Sequence, residues 1–246
     1  MRPRRPVPSA NTEPVEVAEI VLDTDPAPCG AVQTVAWDGF DPPHRGSGPV
    51  LPLRKTLLKP PEVYQGIEAE GDRWMRLACE LARESVERGG GPFGAVVLQI
   101  DDETRRILRY WTGINAVVLS HDPTAHAEVS AIRAACASLA VFDLGTIRRG
   151  ASALPQPGET SHCVIYSSAE PCPMCYAALR WAKLRRLCFA ATRYDAAAPG
   201  VDFSDLALYE ELAEPYARRA FPVRQCTVGN ALDAFNLWKR SEKTPY

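Results

Sequence analysis

The chain has 246 residues, 46% of them hydrophobic and 24% charged, enough apolar matter for one sizeable core plus an extension. Its 28 basic residues stand against 30 acidic ones, and the net charge of −2 removes any global attraction for phosphate backbones or anionic membranes, so a nucleic-acid partner is not indicated. No apolar run approaches the ~20 residues of a bilayer span, and the basic start MRPRRPVPSANTEP is not followed by an apolar stretch, so no membrane association and a cytoplasmic location are expected.

Twelve of the 22 prolines fall within residues 1–65, so the first quarter differs in kind from the remaining three quarters. Two stretches there, VEVAEIVLD (15–23) and AVQTVAWDGF (31–40), alternate well enough for short strands, whereas DPPHRGSGP reads as loop. Residues 1–66 are read as a proline-rich, partly ordered extension, and 67–246 as a single domain. The regular pattern opens with DRWMRLACELARESVERGG (72–90), where Trp74, Leu77, Ala78, Leu81 and Val86 recur near helical spacing and glycines end the helix. FGAVVLQID and RRILRYWTGIN then read as two strands joined by a DET turn.

A helix comes next with Val129, Ile132, Cys136 and Leu139 along one side, then a Gly/Pro-rich loop around 145–160 and a buried strand CVIYSS (163–168). A helix opening at PCPMC runs to about Lys183, and RRLCFAAT (185–192) is the next strand. A short helix near SDLALYEEL, a strand near PVRQCTV and a last helix ALDAFNLWKR complete the chain. This βαβ alternation predicts an α/β sheet with parallel neighbours, helices on both faces and ligands where loops leave strand ends. Of the eight cysteines, Cys79, Cys136, Cys163 and Cys188 fall on apolar faces of these elements, which predicts free buried thiols in a reducing compartment.

Two segments carry chemistry. In EPCPMC, Cys172 and Cys175 stand at i and i+3, so a helix opened by Pro171 and Pro173 turns both thiols to one side of its first turn. The positive end of the helix favours thiolate. In HDPTAHAEV, His126 lies near a second helix start, where Asp122 or Thr124 can cap and Pro123 fits the first turn. One imidazole and two thiolates make a three-ligand zinc set whose open fourth position, holding a water acidified by the metal, marks a catalytic site. Glu128, two residues past the histidine, is placed to move that water's proton without being a ligand.

Taken singly, each feature has a plainer reading. A lone C-x-x-C is equally a structural half-site or redox pair, His126 a capped core histidine, Glu128 a solvated helix position, and the two cysteines packed small hydrophobes. The joint pattern selects the catalytic zinc. His44, His121 and His162 have no companions at ligand spacing and are read as structural.

H-x-E paired with P-C-x-x-C is the signature of zinc nucleobase deaminases. Residues 72–246 resemble the cytidine-deaminase-like superfamily, and within it the bacterial guanine deaminase branch, through GGPFGAVV (90–97), DPTAHAEVSAIRAAC (122–136), EPCPMC (170–175), RWA (180–182) and ATRYDAAAPGVDF (191–203). The resemblance implies a three-layer α/β/α sandwich around a mixed five-stranded sheet, a homodimer, bound Zn2+ and hydrolytic deamination of a purine, guanine to xanthine and ammonia. It further implies substrate contacts at Asn115, which matches an asparagine that hydrogen-bonds the base, at Ala127, and at Phe93 and Trp181 as aromatic walls. Tyr246, in the terminal KTPY, matches a C-terminal aromatic that closes over the partner subunit's site.

Two departures stand out. Where the branch carries two adjacent aspartates, this chain reads GVDFSD, and Asp202 and Asp205 are both candidates for the substrate's amino group. Ala169 replaces a cysteine that is not a ligand. Competing functions are deamination of guanosine or another aminated heterocycle such as a pterin or triazine, deamination of adenosine in tRNA, and a non-catalytic deaminase-like scaffold. The tRNA family shares DPTAHAE but carries a histidine-serine-arginine run where this chain has LRWAKL, and a scaffold would be expected to lose Glu128.

Overall fold

The computed structural model describes residues 72–242. The strands expected at 15–23 and 31–40, and Tyr246, lie outside them. Helix α1 (Arg73–Glu87) begins at Asp72, whose Oδ1 accepts from the amides of Trp74 (2.8 Å) and Met75 (3.4 Å). Then come β1 (Gly94–Asp101), β2 (Ile107–Ile114), the single turn α2 (Val117–Ser120) and α3 (Ala127–Leu139). The chain continues with β3 (Ile147–Arg148), β4 (Thr160–Ala169), α4 (Pro173–Trp181), β5 (Leu187–Ala191), α5 (Arg193–Ala196), α6 (Leu206–Ala213) and α7 (Asp233–Arg240).

The sheet is mixed and five-stranded. β2, β1 and β4 lie side by side and antiparallel, β5 joins β4 in parallel, and β3 adds a two-residue antiparallel ladder at the start of β4. The parallel neighbours expected from the βαβ pattern are therefore confined to β4–α4–β5, where a helix makes the crossover. The period-two alternation of the strands splits the core in two. Val96, Leu98, Val164 and Tyr166 face α1 through Trp74 and Ala78; Ala95, Val97, Cys163 and Ile165 face α3 and α4 through Ala131, Ile132, Ala135, Leu139 and Leu179. That makes three layers, α/β/α.

Topology then gathers the site. β2 is antiparallel to β1 and β1 to β4, so β2, β4 and β5 all run the same way and their C-terminal ends share one edge of the sheet. The segments leaving those ends carry Asn115 and His126, Cys172 and Cys175, and Arg193, respectively. Ligand sites belong at such carboxyl ends.

Several expectations need correction. Val86 is 51% exposed, since the helix face turned to the sheet runs through Trp74, Ala78, Ala82 and Ser85. Cys79 is exposed for the same reason, Cys136 and Cys188 are half-buried, and Cys163 alone of the four is fully buried; all seven described cysteines are free. The strand expected near PVRQCTV does not form: residues 222–228 have no ladder partner among the described residues, and a strand without one leaves its backbone groups unpaired. The fifth strand is β3 instead. Beyond α6 the chain is exposed throughout residues 221–242, and α7 carries Phe235, Leu237 and Trp238 exposed.

Candidate active site

His126 reaches the site through a short turn. Asp122 Oδ1 accepts from the amide (2.8 Å) and hydroxyl (2.7 Å) of Thr124, and the His126 amide donates to the Thr124 carbonyl (2.8 Å). Asp122 thus shapes the turn and Thr124 completes it; neither caps α3. His126 is itself the N-cap residue, with extended backbone (φ −70°, ψ 155°), and its imidazole turns to the sulfurs rather than to the helix amides.

Cys172 is the N-cap of α4 and Pro173 fills the first turn, where its missing N–H costs nothing. The Cys175 amide donates to Cys172 Sγ (3.5 Å), so the helix start supports negative charge on that sulfur. His126 Nδ1 lies 3.6 Å from Cys172 Sγ and 3.5 Å from Cys175 Sγ, and the three donor atoms all fall within 4.8 Å of one another. A tetrahedral zinc with bonds of about 2.3 Å to sulfur and about 2.0 Å to nitrogen sets its sulfur and nitrogen ligands roughly 3.6 Å apart. The triad fits zinc by donor type and by spacing.

Without a cation the two thiols share the cost of burial unequally. The Cys175 S–H bond and the His126 ring hold Cys172 down at about 4, and Cys175 is pushed up by its bond to Cys172 and by burial. The same hydrogen bond to Cys172 raises His126. Glu128, on the first turn of α3, is 5% exposed. Burial pushes its carboxyl up and the charge on Cys172 adds to this, opposed by a Cys175 hydrogen bond and by His126. A buried carboxyl beside a cation site is poised to take up and release a proton.

Asn115 follows β2 and is buried. Its Oδ1 accepts from the amides of Gly91 (3.3 Å) and Val117 (3.4 Å), which fixes the amide's orientation and leaves Nδ2 as the donor end. Ser85 Oγ donates to its carbonyl (3.0 Å). Phe93 precedes β1; its carbonyl accepts from the Asn115 amide (3.1 Å), and its ring meets Phe203 edge to face with centroids 5.2 Å apart. Ala127 is fully buried at the start of α3. Asp205 is partly buried at the N-cap of α6, where burial and the charge on Cys172 raise its carboxyl and Arg193 opposes them. Asp202 is exposed, on a left-handed backbone (φ 62°).

The site thus joins His126, Glu128, Cys172 and Cys175 directly; Asn115, bonded to Phe93 through its amide, leaves β2 at the same sheet edge, and Asp205 stands at the N-cap of the helix whose Tyr209 bonds to Pro171. Trp181 is not brought to it within one chain. It ends α4, the helix whose first turn holds the cysteines, is 67% exposed, and lines an apolar groove with Val129, Ile132, Cys136 and Phe142. Sequence spacing missed Phe203, Glu170, Arg193 and Tyr209. The last three form a connected set: Glu170 pairs with Arg193, whose guanidinium lies 3.7 Å from the Tyr209 ring centre, and Tyr209 donates to the Pro171 carbonyl (2.6 Å). Their partners lie 16 to 38 residues apart, beyond any local periodicity.

Comparison with known proteins agrees with this geometry. Residues 69–191 match the family described as cytidine and deoxycytidylate deaminase zinc-binding region. The chain is 37% identical over 169 residues to the guanine deaminase of Bacillus subtilis, covering 68% of this chain and 93% of that protein. The crystal structure of guanine deaminase from Bacillus subtilis superposes with a TM-score of 0.58 at 36% identity, covering 72% of this chain and 99% of that one. A tRNA-specific adenosine deaminase of Haemophilus influenzae is 31% identical over 132 residues, 54% of this chain and 64% of that protein. With the zinc triad, the buried glutamate and the sheet edge that gathers them all in place, the chain belongs to the cytidine and deoxycytidylate deaminase zinc-binding family.

Proposed function

We propose that this zinc-dependent hydrolytic deaminase acts on guanine, giving xanthine and ammonia. The observation that carries the chemistry is Glu128, buried against a donor triad spaced for zinc; the purine is favoured by likeness over nearly the whole length of a guanine deaminase. Zinc held by His126, Cys172 and Cys175 supplies the Lewis acidity that readies water as a nucleophile at neutral pH. Glu128 takes one proton from the attacking water and passes it to the ring nitrogen beside C2, then takes the remaining hydroxyl proton and delivers it to the amine as the C–N bond breaks and the C=O bond forms, so that water adds and ammonia leaves without net change at the carboxyl.

Asn115 Nδ2 donates to the base, with its Oδ1 locked by two backbone amides. Ala127 borders the base at the start of α3. Phe93, backed by Phe203, flanks the planar ring. Of the two aspartates, Asp205 is partly buried at the start of the helix that Tyr209 ties to Pro171, next to the ligand Cys172, whereas Asp202 is exposed, and we assign Asp205 to the substrate's amino group.

The same reading covers the assembly. Residues 67–246 are the catalytic unit and 1–66 an added segment, supported by a family match that starts at residue 69. The protein is a cytoplasmic homodimer in which the apolar groove with Trp181 and the exposed apolar side chains of α7 meet a second copy, and Tyr246 closes over the partner's site. Among the described residues no helix is long and apolar enough to cross a membrane.

The test is ammonia release by the zinc-loaded protein from guanine, guanosine, adenosine, cytidine and ammeline, with an adenosine-containing tRNA alongside. Guanine is expected to be turned over, and Glu128→Ala to lose about 10²–10⁴-fold in rate while keeping its zinc. Turnover of a different substrate would replace guanine, and an undiminished Glu128→Ala would sink the mechanism.

A further inference from the structure

Helix α6 carries Asp205 at its N-cap, yet none of its residues is buried, so core packing does not decide where it stands. Specific bonds do. Tyr209 lies one turn beyond Asp205, its amide donating to the Asp205 carbonyl (3.1 Å), and its hydroxyl donates to the carbonyl of Pro171 (2.6 Å). Pro171 directly precedes the ligand Cys172.

The ring of Tyr209 is held in turn. The Arg193 guanidinium stacks on it at 3.7 Å. That guanidinium is fixed by Glu170, whose Oε1 accepts from Nε (2.8 Å) and from Nη2, and whose Oε2 accepts from the Arg193 amide (2.9 Å). Glu170 is anchored at the end of β4, its amide donating to the Ala191 carbonyl of β5 (2.7 Å). A continuous set of directional contacts therefore runs from the sheet edge through Arg193 and Tyr209 to the aspartate-bearing helix, and returns to the metal-ligand turn.

We propose that Tyr209 is a positioning residue for the deamination: its hydroxyl bond to Pro171 sets the placement of Asp205 relative to the zinc ligands, and the Glu170–Arg193 pair holds the ring that delivers it. This rests on the assignment of Asp205 to the substrate made above. A phenylalanine keeps the ring and its contact with Arg193 but cuts the bond to the ligand turn.

The experiment compares wild type, Tyr209→Phe, Asp205→Asn and the double variant, as zinc-loaded full-length protein, by kcat and KM for guanine, zinc content, Tm, and hydrogen exchange of the 206–213 amides. Loss of one such hydrogen bond is expected to lower kcat/KM about five- to tenfold. Zinc content and Tm should be unchanged, the α6 amides should exchange faster, and no further loss should follow in the Asp205→Asn background, because the tyrosine acts through the aspartate. The same loss on top of Asp205→Asn would overturn the proposal, as would unchanged exchange in Tyr209→Phe. Should the wild type release no ammonia from guanine, the reading of the reaction fails by itself; unchanged α6 exchange would still separately refute the tie.

Discussion

Replacing Gly113 by alanine tests whether the sheet sets the height of the histidine-bearing helix. Gly113 lies in β2 beneath the first turn of α3, and a Cβ there would stand 2.1 Å from the Ala127 carbonyl oxygen and 2.7 Å from the Ala131 amide nitrogen, where ordinary contact begins at 3.4 Å. Both are helix backbone atoms, so no rotamer relieves the clash. α3 must lift from the sheet by about 1 Å or more, at an overpacking cost of about 1–3 kcal/mol. His126 and Glu128 ride on that turn, whereas Cys172 and Cys175 sit on α4. The 3.5 and 3.6 Å separations of Nδ1 from the sulfurs would lengthen, opening the triad on one side. Disturbing the support of a metal ligand costs about 10–100-fold in affinity, and a misplacement of about 1 Å at a reacting group costs about 10²-fold in rate. Competition for zinc with a chromophoric chelator, thermal melts, and ammonia release at saturating zinc measure the three effects separately. A folded Gly113→Ala protein with wild-type zinc affinity and turnover would refute the argument that this glycine sets the triad.

Two further outcomes come from individual side chains. Cys172→Ser keeps an oxygen able to cap α4 but removes a thiolate ligand, so helix content by circular dichroism should persist while zinc content falls and Tm no longer rises with added zinc; stoichiometric zinc in this variant would contradict the triad. His162, buried at the opposite end of β4 with Nδ1 2.6 Å from Asp102 Oδ1, is held below its ordinary pKa by burial, with the Arg185 charge adding and Asp102 opposing. The unfolded chain therefore binds the histidine proton first. The contribution is intact above about pH 6.5, the unfolded value, and is lost as pH falls through the lower folded value. Tm measured from pH 7.5 to pH 5 should drop, with a shallower slope in His162→Asn; identical slopes would remove His162 from the account.

The two halves of the metal site were legible in the chain alone, because each depends on a short spacing that local geometry fixes, and the resemblance to zinc deaminases joined them into one site. Cysteines three apart after a proline share one side of a first turn, and a glutamate two past a histidine stays beside it whatever the rest of the fold does. The strands were legible too, since β1 and β4 are buried on both faces and read as apolar runs. Spacing does not carry pairing across the sheet. That β2, β4 and β5 run the same way, and so deliver His126, Cys172 and Arg193 to one edge, is a property of strand order. The same holds for Phe203 against Phe93, for Tyr209 against Pro171, and for the burial that separates Asp205 from the exposed Asp202. The strand expected at 222–228 failed for the complementary reason: an alternating pattern states a preference, but a strand exists only where a neighbouring edge accepts its backbone hydrogen bonds, and within this chain β3 takes the fifth place.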